Sequence, residues 1–238
     1  MDADGPAVLF EDKQILVVRK PAGWLSQPDG RGRPDMLNWA KDHIKERWGK
    51  PGAAYAGLCH RLDLPVGGVM ALARTSKAAN RISGQFRERT AGKIYLALVA
   101  GVPEGPAGEI EGRLRRDGNV TLTADGDDGV RAALSWRRLW RGELGDRPAS
   151  LLEVNLLTGV KHQIRAQLAE AGFPVWGDAL YGGPQGPKGT ISIGLFAARL
   201  TLDHPVTRER MGFSALPSSG EWPWRLIREA GGAAVRTG

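Results

Sequence analysis

The stretch His60–Asn80, HRLDLPVGGVMALARTSKAAN, places one carboxylate, Asp63, between a His-Arg pair and a Pro/Gly turn, with an apolar run behind it. A carboxylate beside an arginine at the entrance to a strand has two uses. It is a structural ion pair or turn cap, or it is a reactive group that nearby cations keep ionised. Tyr95 lies among Ile, Leu and Ala in KIYLALVAG, where a tyrosine ring packs in the core and brings its hydroxyl to the edge. A third stretch, TGVKHQIR, sets Lys161, His162 and Arg165 at the opening of a helix. Helix N-termini favour negative charge, so cations there call for an accompanying anion, a carboxylate or a phosphate. The turn-rich GFPVWGDALYGG, residues 172–183, adds an acid and an aromatic, and alone it reads as a loop.

Other chemistries find no footing. His43, His60, His162 and His204 lack metal-ligand spacing, and GxSxG, P-loop and GxGxxG signatures are missing. The single cysteine, Cys59, excludes an internal disulfide or a cysteine-based zinc cluster. His60 adjoins it, but sequence neighbours in extended chain point apart, so a thiol nucleophile is disfavoured.

The elements that must position these groups can be read from periodicity. ILVVRKPAG, residues 15–23, is a strand entering a tight turn, and DMLNWAKDHIKERWG is a helix stopped by Gly49. GVMALARTS is a buried strand, and the next helix is capped by Ser76, with Ala79, Ile82 and Phe86 facing inward. KIYLALVAG, RAALSWRRLW and LLEVNLLTG are strands, and KHQIRAQLAEAG is a helix closed by Gly172. Residues 102–130 read as turns and short strands, and ISIGLFAARLTLDHP supplies one or two more strands. Many strands and few helices, not in strict alternation, give an α+β fold in one domain over residues 9–230, with a lead-in at 1–8 and a flexible tail at 231–238.

Charge points to a partner. The chain carries +7 at neutral pH, with a pI near 9.8. Residues 61–100 hold seven basic residues and two acids, so 7 − 2 = +5 falls in the window around Asp63. A local excess of this kind suits nucleic acid. No segment has the length of a membrane span, and the start lacks the order of a secretory signal, which leads to a cytoplasmic expectation.

In order along the chain, these segments resemble the RluA-type family of RNA pseudouridine synthases. HRLDLPVGG matches its HRLD-turn motif, KIYLALVAG its Lys-x-Tyr strand, TGVKHQIR its HQIR segment and GDALYGG its GD-x-LYG. KPAG and LFAARLTLDHP also fit, and the resemblance runs from about residue 9 to about 206. Gly67 stands where the family has serine, Val160-Lys161 where Arg-Thr is common, and Phe196 where a histidine is usual.

The resemblance implies the pseudouridine synthase catalytic fold: a mixed, mainly antiparallel sheet with flanking helices, a central RNA-binding cleft, and no S4-like domain ahead of it. It implies isomerisation of uridine in structured RNA, ribosomal or transfer, without metal or cofactor. Asp63 becomes the catalytic carboxylate, Tyr95 the ring against the target base, and Arg165 the cation that keeps Asp63 ionised. Attack on the base, attack on the sugar and a glycal route all need an ionised Asp at the glycosidic bond. Arg61, His60, Lys77, Arg81, Lys161 and His162 are the expected RNA contacts, made by a monomer with no obligatory protein partner.

Two other classes compete. A non-catalytic RNA-binding or ribosome assembly factor would keep the basic face without needing the acid. A carboxylate-pair glycosidase would need a second acid, for which Asp178 is the motif-borne candidate.

Overall fold

The structure, a computed structural model, describes residues 5–49, 54–124 and 126–230, so the expected tail at 231–238 lies outside the described residues. These form eleven strands and four α-helices, an α+β fold, divided into two compact units. Among the described residues no helix is long and apolar enough to cross a membrane.

The first unit comprises residues 1–92 and 199–215. β1 (Ala7–Glu11) pairs antiparallel with β2 (Ile15–Lys20), and β2 pairs with β4 (Gly67–Ala73). The two-residue β3 (Gly57–Leu58) also pairs with β4. In β2, Ile15 through Val18 are all fully buried, as are their counterparts in β4, so both faces of the strands are covered. This is why ILVV and GVMALA read as unbroken apolar runs rather than alternating ones.

α1 (Met36–Trp48) begins at Asp35, whose carboxylate accepts the Asn38 N–H, and stops at left-handed Gly49, as its sequence implies. α2 (Ser76–Arg87) differs by one residue from expectation. Its cap is Thr75, whose hydroxyl accepts the Ala78 N–H at 3.1 Å, and Ser76 is the first helical residue. Its inner face shifts accordingly: Ala78 and Ile82 are buried, while Ala79 and Phe86 pack at the margin. They meet Ile15, Val17, Val69 and Ala71, together with Leu200, Leu202 and Phe213 from the late hairpin.

That hairpin is formed by β10 (Leu195–Asp203) and β11 (Arg210–Ser214), with Arg199–Asp203 of β10 belonging to this unit. It is fastened to α2 by reciprocal hydrogen bonds of the Gln85 amide with the Asp203 backbone, both 2.7 Å.

The second unit comprises residues 93–198 and 216–238. Its strand order is β5 (Gly92–Ala100), β9 (Arg147–Leu156), β8 (Val130–Leu144), β6 (Ala107–Asp117), β7 (Val120–Ala124), every neighbour antiparallel. The region expected to hold only turns and short strands thus contains an eleven-residue strand, β6. Its charges alternate with Ile110 and Leu114, and Glu111 meets Arg131 of β8 at 3.0 Å.

α3 (Gln163–Glu170) starts two residues later than TGVKHQIR suggests. His162 stands outside it in a left-handed conformation, φ 55°, and Lys161 precedes that. α4 (Trp224–Glu229) completes the helices.

Candidate active site

In the first unit the HRLD segment is held from both sides. The Ser26 hydroxyl donates to Leu62 O at 2.7 Å and accepts the Leu62 N–H at 3.0 Å. Gly23 N–H donates to Leu64 O at 2.8 Å, and Asp63 O accepts the Val66 N–H at 3.1 Å. The backbone on each side of Asp63 is therefore fixed while its side chain stays half-buried.

Lys20, the last residue of β2, is fully buried. Its ammonium donates to Trp24 O at 2.7 Å, Pro21 O at 3.0 Å and Leu64 O at 3.4 Å. Burial pushes its pKa down to about 7, and the neighbouring Asp63 carboxylate pulls it back up. Lys20 thus joins the KPAG turn to the HRLD segment and supplies the acid with a cation. Sequence reading passed over it as the end of a strand. The available signal was a lysine closing a wholly apolar run, where a charge is kept only if it has partners.

The expected RNA contacts in this unit separate into two kinds. Arg61 and Lys77 are exposed, and their side chains make no hydrogen bond or ion pair among the described residues. His60 and Arg81 are engaged. His60 Nε2 accepts the Ala71 N–H at 3.0 Å and its ring stacks on Phe86, centroids 4.4 Å apart, so it fixes HRLD against β4 and α2. Arg81 donates to Pro205 O at 2.6 Å and ties α2 to the hairpin turn. Burial pushes the Cys59 thiol up to about 12, and the residue is 8% exposed, which leaves it no nucleophilic role.

In the second unit Tyr95 is half-buried in β5, paired with Val154 of β9. The anion called for by the cations at α3 is Asp178. Arg165 donates from Nε to Oδ2 at 2.6 Å and from Nη2 to Oδ1 at 2.7 Å, with side-chain exposures of 6% and 1%. A glycosidase's second acid must reach solvent or substrate. Asp178 is sealed and gives both oxygens to Arg165, so it does not serve.

Tyr181 sits below this pair. The Arg165 guanidinium lies 5.0 Å over its ring, and its hydroxyl accepts the Thr121 N–H at 2.8 Å and meets His162 Nδ1 at 3.0 Å. Burial raises the pKa of this phenol, so it stays protonated at neutral pH. Thr121, from β7, also donates its hydroxyl to Lys161 O at 2.8 Å. The left-handed His162 is thereby held between strand and turn, while the Lys161 side chain remains exposed.

GDALYGG is thus a shaped turn. Gly182 supplies a positive φ of 77°, and a Cβ at Gly183 would lie 1.8 Å from Val175 O. Only glycine lets the chain close this tightly and aim Asp178 and Tyr181 together.

Comparison with known proteins agrees with these motifs. The chain matches the family described as RNA pseudouridylate synthase over residues 14–170. It is 31% identical to the dual-specificity RNA pseudouridine synthase RluA of Haemophilus influenzae, covering 87% of this chain and 91% of that one. It is 34% identical to an uncharacterised RNA pseudouridine synthase of Synechocystis and 34% to ribosomal large subunit pseudouridine synthase D of Neisseria meningitidis. The chain spans only 62% and 57% of those relatives' lengths, with 85% and 87% of its own covered.

The structure titled human RNA pseudouridylate synthase domain containing 4 shares the fold. Its TM-score is 0.75 at 23% identity, over 94% of this chain and 92% of that one. The chain belongs to the RNA pseudouridylate synthase family, whose members are isomerases.

Proposed function

We propose that this protein isomerises uridine to pseudouridine in a structured ribosomal or transfer RNA, with Asp63 as the catalytic carboxylate. The observation that carries the proposal is the double clamp on HRLD: Ser26 and Lys20 fix the backbone around Asp63 and set a buried cation beside it. Among the relatives, one named as a ribosomal large subunit pseudouridine synthase supports the ribosomal class.

In this reading the target uridine leaves its stack, at a cost of a few kcal/mol that phosphate contacts offset. Tyr95 lies against the base. Asp63 acts at the glycosidic bond, and Arg165, oriented by Asp178, is the cation that the family motif assigns to the reaction. The base detaches, turns and rejoins the same ribose through carbon, so the mass is unchanged. Arg61, Lys77 and Lys161 are the side chains offered to RNA phosphates, and His60, Arg81 and His162 contribute by holding their segments. The protein works as a monomer in the cytoplasm.

The test is pseudouridine formation on total RNA from cells lacking this protein, with the wild type and Asp63→Asn compared. An amide of the same shape carries no charge and is no nucleophile, so product should vanish while RNA binding persists. Activity of Asp63→Asn within tenfold of wild type would overturn the assignment. Release of free uracil would return the reading to a glycosidase, and RNA binding without product to a binding factor.

A further inference from the structure

Between Gln27 and Pro34 the chain reads QPDGRGRP, and all eight residues are exposed. The segment is nonetheless closed at its neck. Leu25 N–H donates to Pro34 O at 3.0 Å and Met36 N–H to Leu25 O at 2.8 Å. Inside it Asp29 acts as a brace: Oδ1 accepts the Arg31 N–H at 3.0 Å, and Oδ2 accepts Nε and Nη2 of Arg33 at 3.0 and 2.7 Å.

That contact offsets the charge of Arg33. The loop's net charge, 2 − 1 = +1, then rests on Arg31, whose side chain makes no hydrogen bond or ion pair among the described residues. Gly30 and Gly32 have φ of 78° and 73°, and a Cβ on either would meet nothing within 4 Å. Glycine there serves the turn itself, and it leaves the peptide faces beside Arg31 uncovered.

The place of this loop in the unit gives it a role. Ser26, the residue before it, is the one that holds Leu62 by two hydrogen bonds, and Asp63 follows Leu62. Loop stem and catalytic segment are one hydrogen-bonded body. A nucleotide drawn out toward Asp63 keeps both flanking phosphates, so a polyanion must pass close to this acid whatever its sequence.

We propose that residues 27–34 are a preshaped contact for the RNA backbone beside the target uridine, with Arg31 as its phosphate-binding side chain. This rests on the RNA-isomerase reading above. The closed neck and the Asp29 brace mean that little ordering entropy is lost on contact, so a single arginine is effective.

The experiment measures binding of total RNA from cells lacking the protein to wild type, Arg31→Ala and Lys45→Ala between 50 and 200 mM KCl. Lys45 is an exposed cation on α1, and its loss changes net charge equally. One phosphate contact contributes a salt slope of about 0.7–0.9, so the advantage of wild type over Arg31→Ala should shrink about threefold across this range. Lys45→Ala should follow the wild-type slope, and in turnover the Arg31→Ala loss should fall in KM.

Equal slopes for Arg31→Ala and wild type, or equal changes in both variants, would overturn the proposal. So would a loss confined to kcat. Binding is read apart from product, so absence of pseudouridine from the wild type would refute the functional reading while the salt slopes still judge the loop.

Discussion

Replacing Asp178 by alanine strips two charge-assisted hydrogen bonds from a guanidinium whose side chain is only 6% exposed. Each such bond contributes about 1.5–3 kcal/mol, which gives about 3–6 kcal/mol for the pair. Breaking a buried ion pair from one side costs about 3–5 kcal/mol by a separate route, and the two ranges agree. With a urea m-value of about 2 kcal/mol/M, a loss of about 4 kcal/mol moves the unfolding midpoint down by about 2 M.

The comparison is Glu153→Ala, which removes the partner of Arg137 at a similar distance of 2.9 Å but with the arginine side chain 64% exposed. Solvent screens that pair, so its loss should cost about 0–1 kcal/mol and move the midpoint by less than about 0.5 M. Tryptophan fluorescence against urea at pH 7 reads both. If Asp178→Ala fails to fold, Asp178→Asn keeps the shape and one acceptor and should fall between the two. Equal midpoint shifts for Asp178→Ala and Glu153→Ala would refute the claim that burial decides the strength of the Arg165 clamp.

Between pH 7 and about 10 the unfolded chain binds a proton at Lys20 that the folded chain does not, so stability should rise with pH, by up to about 1.4 kcal/mol per unit. Urea midpoints at pH 7, 8 and 9 should show this rise in wild type and its absence in Lys20→Met; the same slope in both would remove Lys20 as its source. Gly183→Ala puts a Cβ 1.8 Å from a backbone carbonyl and should abolish soluble expression or cost more than about 3 kcal/mol. Gly112→Ala, with nothing within 4 Å, should shift the melting temperature by only a few degrees. Cys59 should resist a disulfide reagent in the folded protein and react as one thiol per chain in urea; fast native labelling would contradict its burial.

What could be read in advance was what is local. The apolar runs of β2 and β4, the Gly49 stop and the Gly172 stop are all set by residues a few positions apart, and they stand as read. Asp63, Tyr95 and Arg165 stood out because each sits in a short motif. The partners that orient such groups are distant in sequence: Lys20 reaches Leu64, Ser26 reaches Leu62, and Thr121 reaches Tyr181. Nothing in KPAG by itself says which carbonyls its lysine will meet. The strand β6 was missed for another reason. The positions that alternate with its charges are Gly108, Ile110, Gly112 and Leu114, so two glycines thin the apolar alternation that marks a half-buried strand, and its other face is charged, with cross-strand pairs such as Arg131 with Glu111.

The first unit is discontinuous, and this bears on how the chain is made. Residues 93–198, 106 of them, separate Gly92 from Arg199. At about 5–20 residues per second, a ribosome needs about 5–20 s to synthesise that stretch. Through this interval the inner face of α2 lacks Leu200, Leu202 and Phe213, Gln85 lacks the Asp203 backbone, and Asp12 lacks His204. The acid-bearing half therefore completes its core only after the whole of β5–β9 has left the exit tunnel. A nascent chain stalled in between exposes Ile82 and its neighbours to chaperones, with its HRLD segment not yet seated on a finished core.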